Sequence, residues 1–430
     1  MINSDAVLKK SADMKGKDMS NKSHVFRNNV AAYNSLTQTV HLNNVNREDV
    51  ENFNALLHSG GSKNDVATLD GVKNIIRPMV HELRHWVDMN CSIKGLDSLS
   101  SIYKLALSLK PSNSEIPKLK RELGLSCFVE RAVSSVPPPW RHSFSYSKPL
   151  YHEPIEHLSI CFHAGDDIKG KENLFKTPIY LGSMLECCAY QQEYKDALPL
   201  MAGNAFWPAE KRRFEKEELE FVYDSTLAEY HALAHAFASC TKEFDVSSAY
   251  EFSSGICFWL LNMPDEMLRR TLKEVDDWAV EKNLHNIFRT ISVNWPREAI
   301  IYYSLIALRE VAATTVKELQ EDMVYDLLPV WKTFRNEYAE KSHEQFCMDV
   351  EELKKLGFDY FNQASSALIE NNKSVLEQKT LNPTLLGLKY PPVFCGDFET
   401  AGASEFSGLE DHYFKIPENE IAELIKIKRR

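Results

Sequence analysis

This chain has no Cys-x-x-Cys, no run of 18 or more apolar residues, no Walker-type loop and no Gly-x-Gly-x-x-Gly turn. Each absence removes a class of protein. Without paired cysteine spacings, the nine cysteines (Cys91, Cys127, Cys161, Cys187, Cys188, Cys240, Cys257, Cys347 and Cys395) do not suggest a thiolate zinc cage. Their number is odd, and the adjacent Cys187 and Cys188 cannot easily bridge to each other. Free thiols in a reducing compartment are therefore expected, with cytoplasmic residence as the default. Without a long apolar run, no membrane span is expected. With only 16 glycines in 430 residues, a phosphate-cradling nucleotide site has little support. Lys and Arg number 50 against 61 Asp and Glu, a formal net charge of −11, which argues against a broad nucleic-acid-binding surface. The short basic tail Lys426-Ile427-Lys428-Arg429-Arg430 does not change that balance.

What the chain does have is apolar residues, 44% of the total, enough to bury a large core. Residues 1–25 are polar, lack an apolar signal core and read as a flexible leader. Ala32 to Leu42 carries β-formers around a turn-like Asn34-Ser35, which suggests a short strand or hairpin. Gly60-Gly61-Ser62 marks a loop. Val72, Ile75, Ile76, Met79, Val80, Leu83, Trp86 and Val87 then recur at helical spacing through about Met89, and Pro78 either kinks this helix or sits near its start. Val136-Pro137-Pro138-Pro139-Trp140 reads as a linker or loop. From about Gly182 the chain is mostly helical in pattern, with helices expected over Ser183–Ala197, Glu217–Thr241, Asp265–Lys282, Arg297–Leu308, 319–340 and 343–370. Leu381 to Phe406 holds several Pro and Gly and is expected to be irregular.

The segment Val80-His81-Glu82-Leu83-Arg84-His85-Trp86-Val87-Asp88 carries the chemistry. On a helix, His81 and His85 are four apart and share a face, so two imidazoles one turn apart can hold a single Zn²⁺. Glu82 stands beside the first ligand, where its carboxylate can take a proton from water activated by the ion and pass it to a leaving amine. Composition alone would place such a pattern in roughly 0.04 chains of this make-up. The bland alternative is an amphipathic helix with two polar histidines. The bulky apolar residues at 79, 80, 83, 86 and 87 argue against it, because they make this a buried helix.

His81-Glu82-x-x-His85 resembles the active-site signature of the zincin metallopeptidases. The order of a β-rich segment followed by this helix is similar to compact gluzincins, including the ImmA/IrrE-like group. The metzincin branch has Gly three residues after the second His and a further His three beyond. Asp88 and Cys91 stand at those places here, so that branch does not fit, and the Gly-Thr-x-Asp pattern of the aspzincins is missing. The resemblance thus implies a gluzincin-like site whose third ligand is a Glu from a later helix. Glu186, in Gly182-Ser183-Met184-Leu185-Glu186-Cys187-Cys188-Ala189, is the first candidate: a carboxylate inside an apolar helical run is costly to bury unless it meets a metal or a cation. Glu229 is the alternative. On its helix, His231 or Tyr230 could stabilise an oxyanion, while His231 and His235 are more simply a buried pair bonded to neighbours. Asp88 lies too far along the axis to join His81 on one ion. It is expected to steady a ligand imidazole or to pair with a local cation. His152-Glu153-Pro154-Ile155-Glu156-His157 has the wrong spacing and a proline, so it reads as a loop, and the mixed-charge run 210–218 reads as a solvated helix face.

The expected fold is α+β and predominantly α-helical: a zincin-like core with a small β-sheet and an active-site helix, extended by C-terminal helices. The expected division is a leader at 1–25, a zincin-like catalytic domain at 26–245, a helical domain at 246–380 and an irregular segment at 381–430. The expected activity is zinc-dependent hydrolysis of peptide bonds, with one Zn²⁺ per chain and a peptide or protein substrate. By analogy with the ImmA/IrrE-like group this would be a regulatory protease. The competing expectation is a catalytically inactive helical interaction protein that keeps the same core. A weaker third is a two-metal or non-peptide hydrolase using His231 and His235.

Overall fold

The β-formers around Tyr33 do fold as a hairpin. β1 (Ala31–Asn34) and β2 (Thr39–Leu42) pair antiparallel with Tyr33 opposite Val40. Asn34 Oδ1 accepts the Leu36 and Thr37 amides at 2.9 and 3.1 Å, a local side-chain bond that closes the turn. This computed structural model describes residues 30–58, 66–107, 130–131, 140–147, 157–164, 175–222, 227–240, 246–312 and 320–401. The leader at 1–25, the Gly60-Gly61-Ser62 loop, the prolines at 137–139, residues 152–156 and the basic tail lie outside them.

α1 (Arg47–His58) and α2 (Val66–Gly71) follow, and α2 continues through a π-helical turn, Val72–Ile76, into α3 (Arg77–Asn90). The change of register falls directly before a proline. Pro78 has no N–H to give the carbonyl four residues back, so an unbroken α-helix would leave an acceptor unmet. The Arg77 N–H instead reaches back five residues to Val72 O, and Pro78 falls in the first turn of α3. Only Cys91 and Ser92 separate α3 from α4 (Ile93–Leu107). Gly95 permits this closeness, since a Cβ there would lie 2.2 Å from the Asp88 carbonyl oxygen. Ser92 Oγ accepts the Gly95 amide at 3.0 Å and caps the new helix.

A second sheet holds β3 (Glu130–Arg131), β4 (Trp140–Ser147), β5 (His157–Ala164) and β6 (Phe175–Pro178), antiparallel throughout in the order β3-β6-β5-β4. Helices then dominate: α5 (Leu181–Ala202), α6 (Trp207–Val222), α7 (Ala228–Ala238), α8 (Val246–Leu261), α9 (Asp265–Glu281), α10 (His285–Asn294) and α11 (Pro296–Ala312). After a 3-10 turn, Glu321–Asp326, come α12 (Pro329–Phe334), α13 (Tyr338–Lys354) and α14 (Asp359–Glu377). Among the described residues the protein is thus mostly helical with two small sheets.

Several boundaries differ from the sequence expectation, for physical reasons. The one helix expected over Glu217–Thr241 is, in the described residues, the separate helices α6 and α7. The stretch 343–370 is split between α13 and α14 around Gly357, whose φ of 80° ends the first helix in the left-handed region. α8 shows little amphipathic stripe because every residue from Phe252 to Leu261 is buried, with Phe252, Ile256, Trp259 and Leu260 each fully covered. Within the segment expected to be irregular, β7 (Val393–Cys395) pairs parallel to β2, completing a sheet of order β1-β2-β7.

One continuous apolar cluster includes Tyr33, Trp86, Leu185, Trp259, Trp331 and Leu368, so helices on both sides of residue 246 share it. A smaller cluster, with Phe53, Val72, Trp207 and Phe214, lies around α1, α2 and α6.

A cavity of about 290 Å³ lies among α4, α9 and α13, lined by Lys94, Asp97, Asp265, Arg297, Asp349 and Glu352 among others. Burial, aided by repulsion from Asp265 and Asp97, pushes the Asp349 carboxyl up to about 6, against the pull of the Gln345 hydrogen bond and Arg297. A carboxyl raised in the folded state contributes stability below its unfolded pKa, and that contribution is lost as pH rises through about 6. Asp349→Asn, which keeps an acceptor for Gln345, is therefore expected to raise Tm by roughly 2–4 °C at pH 8 and to change it little at pH 4. Thermal melts at the two pH values check this, and an equal shift at both would refute it.

Candidate metal centre

Ten consecutive residues of α3, His81 to Asn90, are buried. Six of them are polar, so neighbouring elements must supply partners. Arg84 Nε donates to both Asp88 oxygens at 2.9 and 3.0 Å, and its Nη1 donates to Gln192 Oε1 of α5 at 2.8 Å. Of the two roles open to Asp88, its hydrogen bonds go to the cation, while its charge also acts on His85. Asn90 Nδ2 donates to Gln38 Oε1 at 2.8 Å, and Tyr360 OH donates to Asn90 Oδ1 at 3.0 Å. His81, Glu82 and His85 remain, and they meet α5 and β1.

His81 Nε2 and His85 Nε2 lie 3.1 Å apart. Glu186 Oε2, on α5, is 3.3 Å from the first and 3.5 Å from the second. An ion bound at about 2.1 Å to three corners of a tetrahedron spaces its ligand atoms at about 3.4 Å. The three atoms therefore fit one metal ion. Glu186 Oε2 is buried and has no hydrogen bond to satisfy it, which is how a ligand atom would be left. Among the described residues no other His, Cys, Asp or Glu trio brings its ligand atoms within 4.8 Å of one another.

Electrostatics point the same way. Burial opposes charge on His81, but the Glu186 and Glu193 carboxylates outweigh it and lift the imidazole well above its usual range. Burial also opposes charge on Glu186, and the His85 and His81 imidazoles outweigh it and hold the carboxyl below the usual range. Glu82, Glu186, Glu193 and Glu218 gather around the two imidazoles, with Arg77 shared between Glu193 and Glu218, an arrangement that favours added positive charge.

Glu193 escaped the sequence reading. It stands seven residues, two helical turns, after Glu186 and so on the same face of α5. His81 Nδ1–H donates to Glu193 Oε1 at 2.6 Å. A carboxylate can only accept, so Nδ1 carries a proton, and when the ring gives up its second proton to a metal it is Nε2 that supplies the lone pair. Arg77 Nε donates in turn to Glu193 Oε2 at 3.0 Å. The available signal was spacing alone: Glu186-x₆-Glu193 on one helix and Arg77-x₃-His81 on the other.

Glu82 is turned toward the small sheet. Its Oε2 accepts the Tyr33 N–H of β1 at 2.7 Å. Burial raises its pKa, helped by Glu186, and the two histidines and the Tyr33 amide offset this only in part. On α7, the half-buried Tyr230 ring lies 6.2 Å from that of His81, centroid to centroid. His231 bonds through Nδ1 to Tyr250 OH, and His235 donates from Nε2 to Val222 O at 2.7 Å. Burial lowers both imidazoles, His235 to about 4, so this pair is neutral and occupied with its neighbours. The Glu229 side chain lies outside the described residues.

A Ser–His contact elsewhere does not make a nucleophile. Arg309 Nη2 donates to His142 Nε2 at 3.1 Å, so the ring proton sits on Nδ1, facing Ser239 Oγ. No base is left there to activate the hydroxyl. Comparison with known proteins finds no matching family model, curated protein or solved structure.

Proposed function

We propose that this chain is a zinc-dependent hydrolase of peptide bonds, with His81, His85 and Glu186 as ligands and Glu82 as the general base. The observation that carries this reading is the convergence of two imidazole nitrogens and one carboxylate oxygen, 3.1 to 3.5 Å apart, on the helix that also presents Glu82. Zn²⁺ held there would supply Lewis-acid polarisation of water and of a carbonyl. Glu82 takes the proton from water and returns it to the leaving nitrogen. Glu193 holds His81 in the ligating tautomer, and the Tyr230 hydroxyl, on the neighbouring helix, serves a developing oxyanion.

The burial of His81, Glu82, His85 and Glu186, all at 7% exposure or less, favours a second reading. In it the ion is a structural clamp between α3 and α5 of a catalytically inactive interaction protein. Both readings require the metal. Purified protein is expected to carry about one zinc per chain by elemental analysis, and His81→Ala or His85→Ala to lose it. Full occupancy in both variants would remove the site from consideration.

A further inference from the structure

α3 and the π turn before it present a row of basic and imidazole side chains at four-residue spacing: Lys73, Arg77, His81 and His85. They meet a row of carboxylates on α5 and α6. Lys73 lies 3.6 Å from Glu217, Arg77 bridges Glu218 and Glu193, His81 lies between Glu193 and Glu186, and His85 faces Glu186. Lys73 stands at the outer end of the row, paired with a Glu217 that is 45% exposed, and His81 and His85 are the ligands already described. Arg77 is the link between the outer pair and the metal centre.

Its side chain is 16% exposed, and the two carboxylates it joins are 13% and 9% exposed. Nε donates to Glu193 at 3.0 Å, Nη1 donates to Glu218 at 2.5 Å, and the guanidinium sits 5.6 Å from the Phe214 ring centre. A planar fork can serve carboxylates from two helices at once, which a single ammonium cannot. The π turn immediately before Arg77 sets where the row begins.

We propose that Arg77 is a positioning residue for the metal centre, acting through Glu193 to fix the ring of His81. The inference rests on the metal-binding reading above. Glu193 alone could swing between rotamers, and Arg77, anchored on the far side by Glu218, holds it in the one that receives the Nδ1 proton. The ligand imidazole is then aimed before the ion arrives.

The test is a double-mutant cycle on Zn²⁺ affinity, measured by competition with a chromophoric chelator. Arg77→Met and Glu193→Gln are each expected to weaken binding about 10–100-fold. The double variant is expected to be no more than about 3-fold weaker than Glu193→Gln alone, because Arg77 works through that carboxylate. Effects that multiply in the double variant would overturn the assignment. Arg77→Lys keeps the charge without the fork and is expected to remain at least about 10-fold weak. Full affinity in that variant would also overturn it, and the same cycle can be read with lysine should the methionine variant not fold. Visible spectra of the Co²⁺-loaded proteins add a readout that general loosening does not move: Arg77→Lys should shift the d–d bands as Glu193→Gln does, and an unshifted spectrum counts against the proposal. Wild-type protein that binds no Zn²⁺ overturns both this assignment and the metal reading. Equal affinity of wild type and Arg77→Met overturns this one alone.

Discussion

Glu82→Gln is expected to lose peptide hydrolysis by at least ~100-fold, the low end for removal of a general base, while keeping the fold and about one zinc per chain. The amide matches the carboxylate in size and still offers an oxygen to the Tyr33 N–H at the 2.7 Å contact. It cannot hold a proton in transit. Burial works against a charged Glu82, so a neutral side chain there should leave stability unchanged or raise it slightly. Loss of turnover with unchanged Tm and unchanged metal content therefore reports chemistry. The measurement needs a substrate, which comparison of cleaved proteins in cells carrying either version can supply. Equal turnover, or an equal cellular phenotype, would favour the structural-clamp reading.

Glu186→Ala should have the largest effect on the metal. Apparent free energies of about 10–16 kcal/mol for tetrahedral zinc sites divide into roughly 3–4 kcal/mol per ligand, so loss of one is worth about 100–1000-fold in Kd. The same ion tied to α3 and α5 should stabilise the protein by mass action, about 4 kcal/mol when free metal is 1,000 times Kd. A strong chelator is thus expected to lower the wild-type Tm by roughly 4–5 °C and to leave Glu186→Ala nearly unmoved. A chelator-insensitive wild type would show that no ion contributes at this place.

The part of the site carried by one helix was legible in the sequence, because a spacing of four forces His81 and His85 onto one face whatever surrounds them. Glu186 was legible as a carboxylate in an apolar run, and it is indeed buried against both imidazoles. Glu193 was not, since Tyr190-Gln191-Gln192-Glu193-Tyr194-Lys195 looks like a solvated face. Only the approach of α3 and Arg77 shows that this Glu is mostly covered. Asp88 was placed by distance along the helix, and its pairing with Arg84 follows from the same four-residue rule. For the fold, the hairpin at Tyr33 and the amphipathic helices such as α9 could be read from periodicity. α8 could not, because ten consecutive buried residues, 252–261, leave no polar stripe to set its phase. β7 could not either, because three residues among prolines carry little local signal and are strand only because β2 offers them an edge.

That pairing sets an order of events during synthesis. Val40 bonds in register with Val393, about 350 residues further along the chain. On a growing chain the Tyr33 strand can meet the Glu82 helix early, but the outer strand, Val393–Cys395, exists only after all the described helices have been made. Such a distant closure is slow and comes late in folding. A chain that stops before residue 393 would thus carry His81, Glu82, His85 and Glu186 beside a sheet still lacking the strand that pairs with β2.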